Sequence, residues 1–397
     1  MIKFCSFLKK SINFTILLSF LILAAMTAKS SSLPAMSLDS ALGLAKKHNK
    51  LIMIDGYTDW CKWCKVMDKE TFSDHKVIDF LNKNFIPSAF DMETGDGLKL
   101  SMKYLINAYP TVFFLNSNGR LVYKIVGYLK PDEFIAELNK CLKPENLMKL
   151  TGYSDDLNIG YPDFYKNSYG KSGKKVVAKP EQIEQWLDGQ NDLFSEINFN
   201  ILMKFALNKK YFEYFLNNEK RYKEMYSEQT VSDKIENSVY QLNSKAGKEG
   251  NEENHKFAIS IVDKYFKDND IKEKNTMKFR LNSDYWRMQS KADKLIEIGE
   301  QAIKEEINNK SENLNELAWN LCQMGTDKKV LEEALKIIEA SLIENEGFEN
   351  LDTKANILKK LDRKADALKC AQKAIEKAKT TGQKTEETQK LIEELKK

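Results

Sequence analysis

The most informative stretch of this 397-residue chain reads Ile54-Asp55-Gly56-Tyr57-Thr58-Asp59-Trp60-Cys61-Lys62-Trp63-Cys64-Lys65. It continues the apolar run that begins at Leu51, which is typical of a strand buried on both faces. The two cysteines then fall at the start of a helical stripe. Unpaired backbone N–H groups and the helix dipole favour thiolate over thiol at such a position, and the thiolate is the species that attacks a disulfide. The stretch therefore predicts a redox-active dithiol.

The spacing of the two cysteines predicts a different role for each. Two intervening residues let the second cysteine attack the mixed disulfide formed by the first and release the partner in reduced form. We assign Cys61 as the nucleophile, which we expect to be the more exposed, and Cys64 as the resolving thiol. Their redox-active disulfide needs no further cofactor. A zinc site would need two more ligands at a companion spacing, and the chain has no second C-x-x-C and only three histidines, so no metal is expected.

Two acids near the dithiol are candidate proton carriers. Asp55 follows four apolar residues, and its pattern fits equally a surface residue in a turn or a buried carboxyl of raised pKa that exchanges a proton with Cys64. Asp68 lies one predicted helical turn beyond Cys64 and could face the same site, although an isolated acid there is more often solvated.

The composition and the N-terminal sequence limit the class of protein to which this chain can belong. The length predicts two or three domains, and 42% apolar with 30% charged residues is typical of a folded globular chain. Residues 1–30 combine a basic start, an apolar run over 12–26 and small residues, which is the layout of a secretory signal peptide. We therefore expect an exported, periplasmic or otherwise extracytoplasmic protein, with an uncleaved N-terminal membrane anchor as the alternative. The net charge of +4 includes that basic start, so no nucleic-acid binding is expected.

The most informative stretch resembles the active-site segment of the thioredoxin superfamily, with the acid, the tryptophan and both cysteines at matching offsets. The resemblance covers about a quarter of the chain and implies an α/β domain over 34–145, with a central mixed sheet flanked by helices. It also implies the elements that follow, which are a strand at Phe85–Asp91, a helix at Gly95–Ile106, a cis-proline turn at Tyr109-Pro110-Thr111, a hairpin ending with Leu121–Val126 and a helix at Pro131–Leu142.

Within the superfamily, Cys61-Lys62-Trp63-Cys64 and the residues after it resemble the C-terminal domain of the transmembrane disulfide interchange protein. That resemblance implies disulfide reduction or electron relay, with Asp55 as the buried acid and Asp68 as a second acid. It further implies a substrate-binding surface at Trp60, Trp63, Tyr109 and Pro110. The implied partners are protein thiols and disulfides, together with an upstream electron donor that is still unidentified.

The rest of the chain has no comparable motif. Residues 146–190, rich in Gly, Tyr and Lys, are predicted to be a linker or irregular connection, and 191–397 an all-α helical domain. The spacing of small and large apolar residues over 311–397 resembles tetratricopeptide repeats. Such an array either binds a protein or peptide partner on its concave surface or only shields the redox domain.

Three functions fit these patterns. The favoured one is an exported thiol–disulfide oxidoreductase, an enzyme that reduces protein disulfides or relays electrons to them. The second is a disulfide isomerase or oxidase on the same fold. The third is a binding module in which the helical repeat supplies the function and the dithiol senses redox state.

Overall fold

The computed structural model describes residues 33–171, 175–265, 271–325 and 327–397. The predicted signal peptide at 1–30 lies outside these ranges. Two compact units make up the chain, one ending at Lys234 and the other beginning at Ile235. Across the described ranges, we find no helix with the length and apolar character needed to cross a membrane.

The first unit contains a four-stranded mixed sheet. Its strands are β1 (Leu51–Tyr57), β2 (Phe85–Asp91), β3 (Thr111–Leu115) and β4 (Leu121–Val126). They lie in the order β2-β1-β3-β4, with β1 parallel to β2 and antiparallel to β3, and with β3 antiparallel to β4. The helices of this region are α1 (Leu38–His48), α2 (Lys62–Glu70), α3 (His75–Asn84), α4 (Gly95–Tyr104) and α5 (Pro131–Cys141). This is the α/β arrangement that the sequence predicted.

Side-chain caps fix where three of these helices begin. The Ser37 side chain accepts the Ser40 N–H at the start of α1, and the Asp74 carboxylate accepts two backbone N–H groups at the start of α3. Helix α2 is instead capped by a cysteine, because Cys61 occupies its N-cap position and its side chain accepts the Cys64 N–H. The strand-to-helix connection from β1 therefore delivers the dithiol to the N-terminus of α2.

The core beneath the dithiol is built from β1 and its neighbours. The five residues Ile52–Gly56 of β1 are buried, as expected for a central strand. Large apolar side chains from the sheet, from α2, α3 and α5, and from the connection between α2 and α3 pack there, and burial of each contributes about 1.5–3 kcal/mol. They include Met53, Met67, Phe72, Val77, Leu81, Phe85, Phe114, Phe134 and Leu138.

One glycine allows a close approach at the site end of the sheet. Gly56 pairs with Thr111 of β3, and a Cβ atom at position 56 would lie 3.0 Å from the Thr111 carbonyl oxygen and 3.1 Å from Met92 Cγ. Real Cβ contacts are rarely so short, so glycine lets β1 and β3 pair beside the dithiol.

The stretch 146–190 contains little regular structure, but it carries buried aromatic side chains. A 3₁₀ turn at Pro144–Asn146 precedes it, and it includes α6 (Asp163–Lys166) and α7 (Pro180–Asp188). Its buried tyrosines are Tyr153, Tyr161, Tyr165 and Tyr169. The hydroxyl of Tyr165 donates to the Met102 carbonyl of α4 at 2.7 Å, so this irregular stretch packs on the sheet-containing domain.

The rest of the described chain is helical, in line with the sequence prediction. The helices are α8 (Glu196–Lys204), α9 (Lys209–Asn217), α10 (Glu219–Met225), α11 (Glu228–Glu249), α12 (Glu252–Tyr265), α13 (Ile271–Met288), α14 (Ala292–Lys304), α15 (Lys310–Gln323), α16 (Lys328–Glu344), α17 (Phe348–Lys360), α18 (Lys364–Thr381) and α19 (Glu386–Leu395). Helix α15 packs against α16, α16 against α17, and α17 against α18. Small residues such as Ala318, Ala334, Ala355, Ala367 and Ala371 are fully buried there and let the helices approach closely.

Candidate active site

The two cysteines form a disulfide at the N-terminus of α2. Their Cα atoms are 5.3 Å apart, and the Cys64 backbone N–H donates to Cys61 Sγ at 3.0 Å. The Cys61 backbone N–H donates to the Thr58 carbonyl oxygen at 3.0 Å, which fixes the turn that leaves β1. In the reduced state, the same N–H group and the helix dipole would stabilise a thiolate on Cys61.

The expectation that Cys61 is the more exposed cysteine is wrong for this disulfide-bonded state. Cys61 is 4% exposed and Cys64 is 7% exposed, so both are buried. The cause is the cap geometry, because the Cys61 side chain turns back over the first turn of α2 to accept the Cys64 N–H.

The structure places the two candidate acids differently. Asp55 lies inside β1, opposite Ala89 of β2 and Val112 of β3, and only 3% of it is exposed. This burial excludes the surface interpretation of Asp55. Asp68 is half-buried on α2, four residues beyond Cys64. The catalytic roles of both acids remain predictions.

Pro110 follows a cis peptide bond, as the resemblance implied. Its carbonyl oxygen accepts the Gly127 N–H at 2.9 Å, which ties the proline turn to the end of β4. Thr111 begins β3 and pairs there with Gly56, so the turn stands directly beside the strand that leads to the dithiol.

An aromatic side chain flanks the dithiol on its N-terminal side. The Trp60 ring, 56% exposed, makes an edge contact with the Tyr109 ring at 5.8 Å between centroids. Trp60 Nε1 donates to a carboxylate oxygen of Glu93 at 3.1 Å, and only 7% of Glu93 is exposed. Burial raises the pKa of Tyr109, with a further contribution from the Glu93 charge. Tyr109 therefore stays a neutral phenol at physiological pH.

A second aromatic pair contains the tryptophan between the cysteines. Trp63 is 58% exposed, and its ring centroid lies 5.5 Å from that of Tyr128. The Tyr128 hydroxyl donates to a carboxylate oxygen of Glu70 at 2.6 Å. Trp63 is thus positioned by Tyr128, which Glu70 holds through a hydrogen bond. Trp60 is positioned by its contacts with Tyr109 and Glu93.

A lysine of α8 forms a hydrogen bond with the loop that precedes the cis-proline. Lys204 Nζ donates to the Asn107 side-chain oxygen at 2.9 Å and lies 3.9 Å from the centre of the Tyr169 ring. Burial lowers the pKa of Lys204 to about 8. Tyr169 comes from the irregular stretch, so that stretch and α8 both help to place the proline loop.

Known proteins match this region of the chain. A family model described as a thioredoxin-like domain matches residues 38–142. The match spans all four strands, the disulfide and the cis-proline. Residues 38–142 form a thioredoxin-like domain.

The thioredoxin-like domain is also similar to part of larger proteins. The thiol:disulfide interchange protein DsbD of Pseudoalteromonas atlantica is 28% identical over 108 residues, which cover 26% of this chain and 18% of that protein. The protein of the same name from Colwellia psychrerythraea is 31% identical over 111 residues, which cover 27% of this chain and 18% of that protein. The chain thus spans less than a fifth of the length of the curated relatives it matches.

Among solved structures, a thioredoxin from Thermus thermophilus is 27% identical, with a TM-score of 0.26. The match covers 28% of this chain and 88% of that one.

Sequence reasoning missed the residues that support the thioredoxin-like domain from a distance. Glu93 lies 33 positions from the tryptophan it binds, and Lys204 lies 97 positions from Asn107. Neither partner stands in a motif, so no local pattern could have indicated these pairs. The one available signal was the cluster of four tyrosines over 153–169, because many aromatics in an irregular stretch suggest burial.

Proposed function

We propose that this chain is an exported thiol–disulfide oxidoreductase that reduces protein disulfides or relays electrons to them through Cys61 and Cys64. The observation that carries the proposal is the hydrogen bond from the Cys64 N–H to Cys61 Sγ at the N-terminus of α2. It supports Cys61 as the thiolate, because it aims a backbone donor at the sulfur that would carry the charge.

The proposed reaction begins with the reduced dithiol. The Cys61 thiolate attacks one sulfur of a substrate disulfide, the substrate S–S bond breaks, and the other substrate sulfur leaves as a thiolate. Cys64 then loses its proton and attacks Cys61 Sγ, which breaks the mixed disulfide and forms the Cys61–Cys64 disulfide. Two electrons and two protons reach the substrate in total. An upstream dithiol donor must reduce the Cys61–Cys64 disulfide again, and no separate cofactor is needed.

Asp55 is proposed as the base that takes the Cys64 proton. Its burial inside β1, the strand that leads to the dithiol, supports this proposal. Asp68, half-buried on α2, is proposed as a second acid on the same helix as Cys64.

The exposed rings beside the disulfide are proposed to receive the substrate polypeptide. Trp60 and Trp63 are each more than half exposed although they are large and apolar, which favours contact with another molecule. Tyr109 and Pro110 would border an extended segment lying across Cys61.

The C-terminal helices are proposed to form a tetratricopeptide-like array. The consecutive packing of α15 with α16 and of α17 with α18, with alanines buried between them, supports this proposal. We propose that this array binds a protein or peptide partner. Export is proposed from the signal-like composition of residues 1–30.

The experiment that tests the direction of electron flow is the equilibrium reduction potential of the Cys61–Cys64 pair. It is measured by titration of the full chain against glutathione and dithiothreitol buffers. A potential near about −270 mV, the value of thioredoxin, supports the reductase. A potential near about −120 mV, the value of a strong oxidant, overturns that direction and makes the chain a disulfide donor. If no disulfide forms between the two residues, the proposed activity fails altogether.

A further inference from the structure

The second unit contains a groove that the proposed redox chemistry does not use. It encloses about 450 Å³ and is lined by side chains from α11, α13 and α15. Helices α13 and α15 contact each other directly, so the groove runs across alternate helices of the array. Its lining combines an apolar floor with a polar rim, and these two parts decide what it can bind.

The floor of the groove is made by Phe279 of α13 and Leu317 of α15. Phe279 is 8% exposed and Leu317 is 1% exposed, so both side chains are anchored in the helical core. Phe279 supplies most of the exposed floor, a small apolar surface that covers the aliphatic part of a long side chain.

The rim of the groove is acidic. Glu236, Glu312 and Glu316 line it and are exposed. Within the described ranges none of these three carboxylates forms an ion pair. Elsewhere in the same unit lysines do pair with carboxylates, as Lys336 of α16 does with Glu333 at 2.7 Å. The rim therefore carries negative charge that no lysine in the described part of the unit neutralises through an ion pair.

The cation within the groove is already engaged. Arg280 Nε donates to the Asn313 side-chain oxygen at 3.4 Å, and Arg280 is also hydrogen-bonded to Tyr240. The charge of Arg280 offsets only one of the three rim carboxylates, so the groove keeps a net negative charge that attracts an external cation.

One buried hydroxyl in the groove also lacks a partner. The Ser283 side-chain oxygen is shielded from solvent and has no hydrogen-bond partner among the residues described. A buried hydroxyl without a partner destabilises the fold, and a ligand that supplies the missing hydrogen bond would recover that loss. The residue therefore marks a position where a bound group can be fixed.

We propose that this groove binds an extended polypeptide segment that carries lysine or arginine. The aliphatic stem of such a side chain lies along Phe279, and its charged head reaches the carboxylates of the rim. The segment's own polar groups meet the amide side chains of the groove and the Ser283 hydroxyl. The site is independent of the dithiol, so it stands whether or not the chain is a reductase.

The test is the affinity of the full chain for short fluorescent peptides, measured by anisotropy. One peptide alternates lysine with serine, and its counterpart alternates glutamate with serine. The lysine peptide is expected to bind at least about tenfold more tightly. Equal affinity for the two peptides, or no binding of the lysine peptide, would overturn the proposal.

Matched variants locate the binding. The triple variant Glu236→Gln, Glu312→Gln and Glu316→Gln is expected to weaken lysine-peptide binding about tenfold, as three exposed charge pairs are lost. The control replaces three other exposed glutamates of the same unit with glutamine and changes the net charge equally, at Glu300, Glu376 and Glu393. Equal loss in both triple variants would show attraction by net charge alone and reject the groove.

A single replacement guards against misfolding of the triple variant. Glu316→Gln is expected to weaken binding about twofold, with the circular dichroism spectrum of the chain unchanged. Unchanged affinity in this variant and in the triple variant would also reject the groove.

Discussion

Asp55 is the residue on which proton transfer in the proposed reaction depends. Replacement by asparagine keeps the size of the side chain in β1 but removes the base that would take the Cys64 proton. We expect Asp55→Asn to slow resolution of the mixed disulfide by at least about a hundredfold. The attack by Cys61 should be affected much less, so the variant should accumulate mixed disulfide in quenched-flow mass spectrometry.

The control for this variant is Asp59→Asn, the same change four residues further along at an exposed position. It should leave both steps near the wild-type rate. Equal slowing of the two steps in Asp55→Asn would indicate structural damage and contradict a role as base.

Gly56 tests the packing that places the proline turn beside the dithiol. A Cβ atom there would press on the Thr111 carbonyl and on Met92, so Gly56→Ala should lower the free energy of unfolding by about 1–3 kcal/mol. Gly43→Ala is the matched control, because position 43 is exposed in α1 with no atom within 4 Å of the new Cβ. That change should instead stabilise the chain by about 0.5–1 kcal/mol, since alanine is the better helix former. Urea unfolding of both variants measures the sign of each change in the free energy of unfolding. A Gly56→Ala chain as stable as the wild type would contradict the close approach of β1 to Thr111 and Met92.

At the scale of elements, a buried ion pair joins α4 to α8. Lys103 Nζ lies 2.6 Å from a Glu196 carboxylate oxygen, and the two residues are 1% and 8% exposed. Burial lowers the pKa of Lys103, and the hydrogen bond that Lys103 donates to the Glu196 carboxylate partly opposes that shift. The Glu196 carboxylate also accepts the Ser154 N–H at 2.8 Å, so it holds the irregular stretch as well.

Replacing either member of this ion pair should lower the free energy of unfolding. Lys103→Met and Glu196→Gln should each lower the free energy of unfolding by about 3–5 kcal/mol, because each leaves the other polar group buried with lost partners. The double variant leaves no buried charge, so it should cost less than the sum of the two single changes. Strictly additive losses in urea unfolding would contradict a coupled pair.

Lys234 connects α11 to the end of α8, and its titration makes the free energy of unfolding depend on pH. It donates to the carbonyl oxygens of Met203 and Phe205, at 3.2 and 2.6 Å. Burial lowers its pKa in the folded chain to about 8, whereas an unfolded lysine titrates near about 10.4. Between these pH values the unfolded chain binds more protons than the folded chain, so this group makes the free energy of unfolding rise with pH.

The wild type should therefore gain stability relative to Lys234→Met as the pH rises from about 8 to about 10, by roughly 2 kcal/mol. Comparison of the two chains by urea unfolding at each pH removes the contribution of all other titrating groups. A difference that stays constant or shrinks over this range would contradict a buried lysine of lowered pKa.

The elements of the redox region could be predicted closely from sequence. The strands at Phe85–Asp91 and Leu121–Val126 have the predicted bounds, because apolar runs between turn residues mark them locally. The helix predicted to reach Ile106 ends at Tyr104, since Leu105 adopts a left-handed conformation that closes it. What local pattern could not give was contact at long range, such as Glu196 with Lys103, because those partners meet only after the chain has folded.

At the scale of the whole molecule, one chain joins two sites of different chemistry. The dithiol lies in the unit that ends at Lys234, and the acidic groove lies in the unit that begins at Ile235. Covalent linkage raises the effective concentration of any substrate that both sites can hold. A polypeptide with both a disulfide and a basic segment is therefore the substrate class that the two proposals together favour.

Competing thiols are few and weakly reactive in the described part of the chain. Burial raises the pKa of Cys141 to about 12 and also raises the pKa of Cys322 and of Cys370. Thiols of raised pKa form little thiolate near neutral pH and attack disulfides slowly. Covalent adducts with a substrate should therefore report on the Cys61 and Cys64 pair.

The most direct test of the central claim is covalent trapping of a mixed disulfide. The reduced Cys64→Ser chain is mixed with a disulfide-bonded peptide, and the adduct is mapped by peptide mass spectrometry. We expect a stable adduct on Cys61 in this variant and none in Cys61→Ser, because only Cys61 attacks the substrate and only Cys64 resolves the adduct. An adduct on Cys64 in the Cys61→Ser chain, or no adduct in either variant, would contradict the proposed roles of the two cysteines.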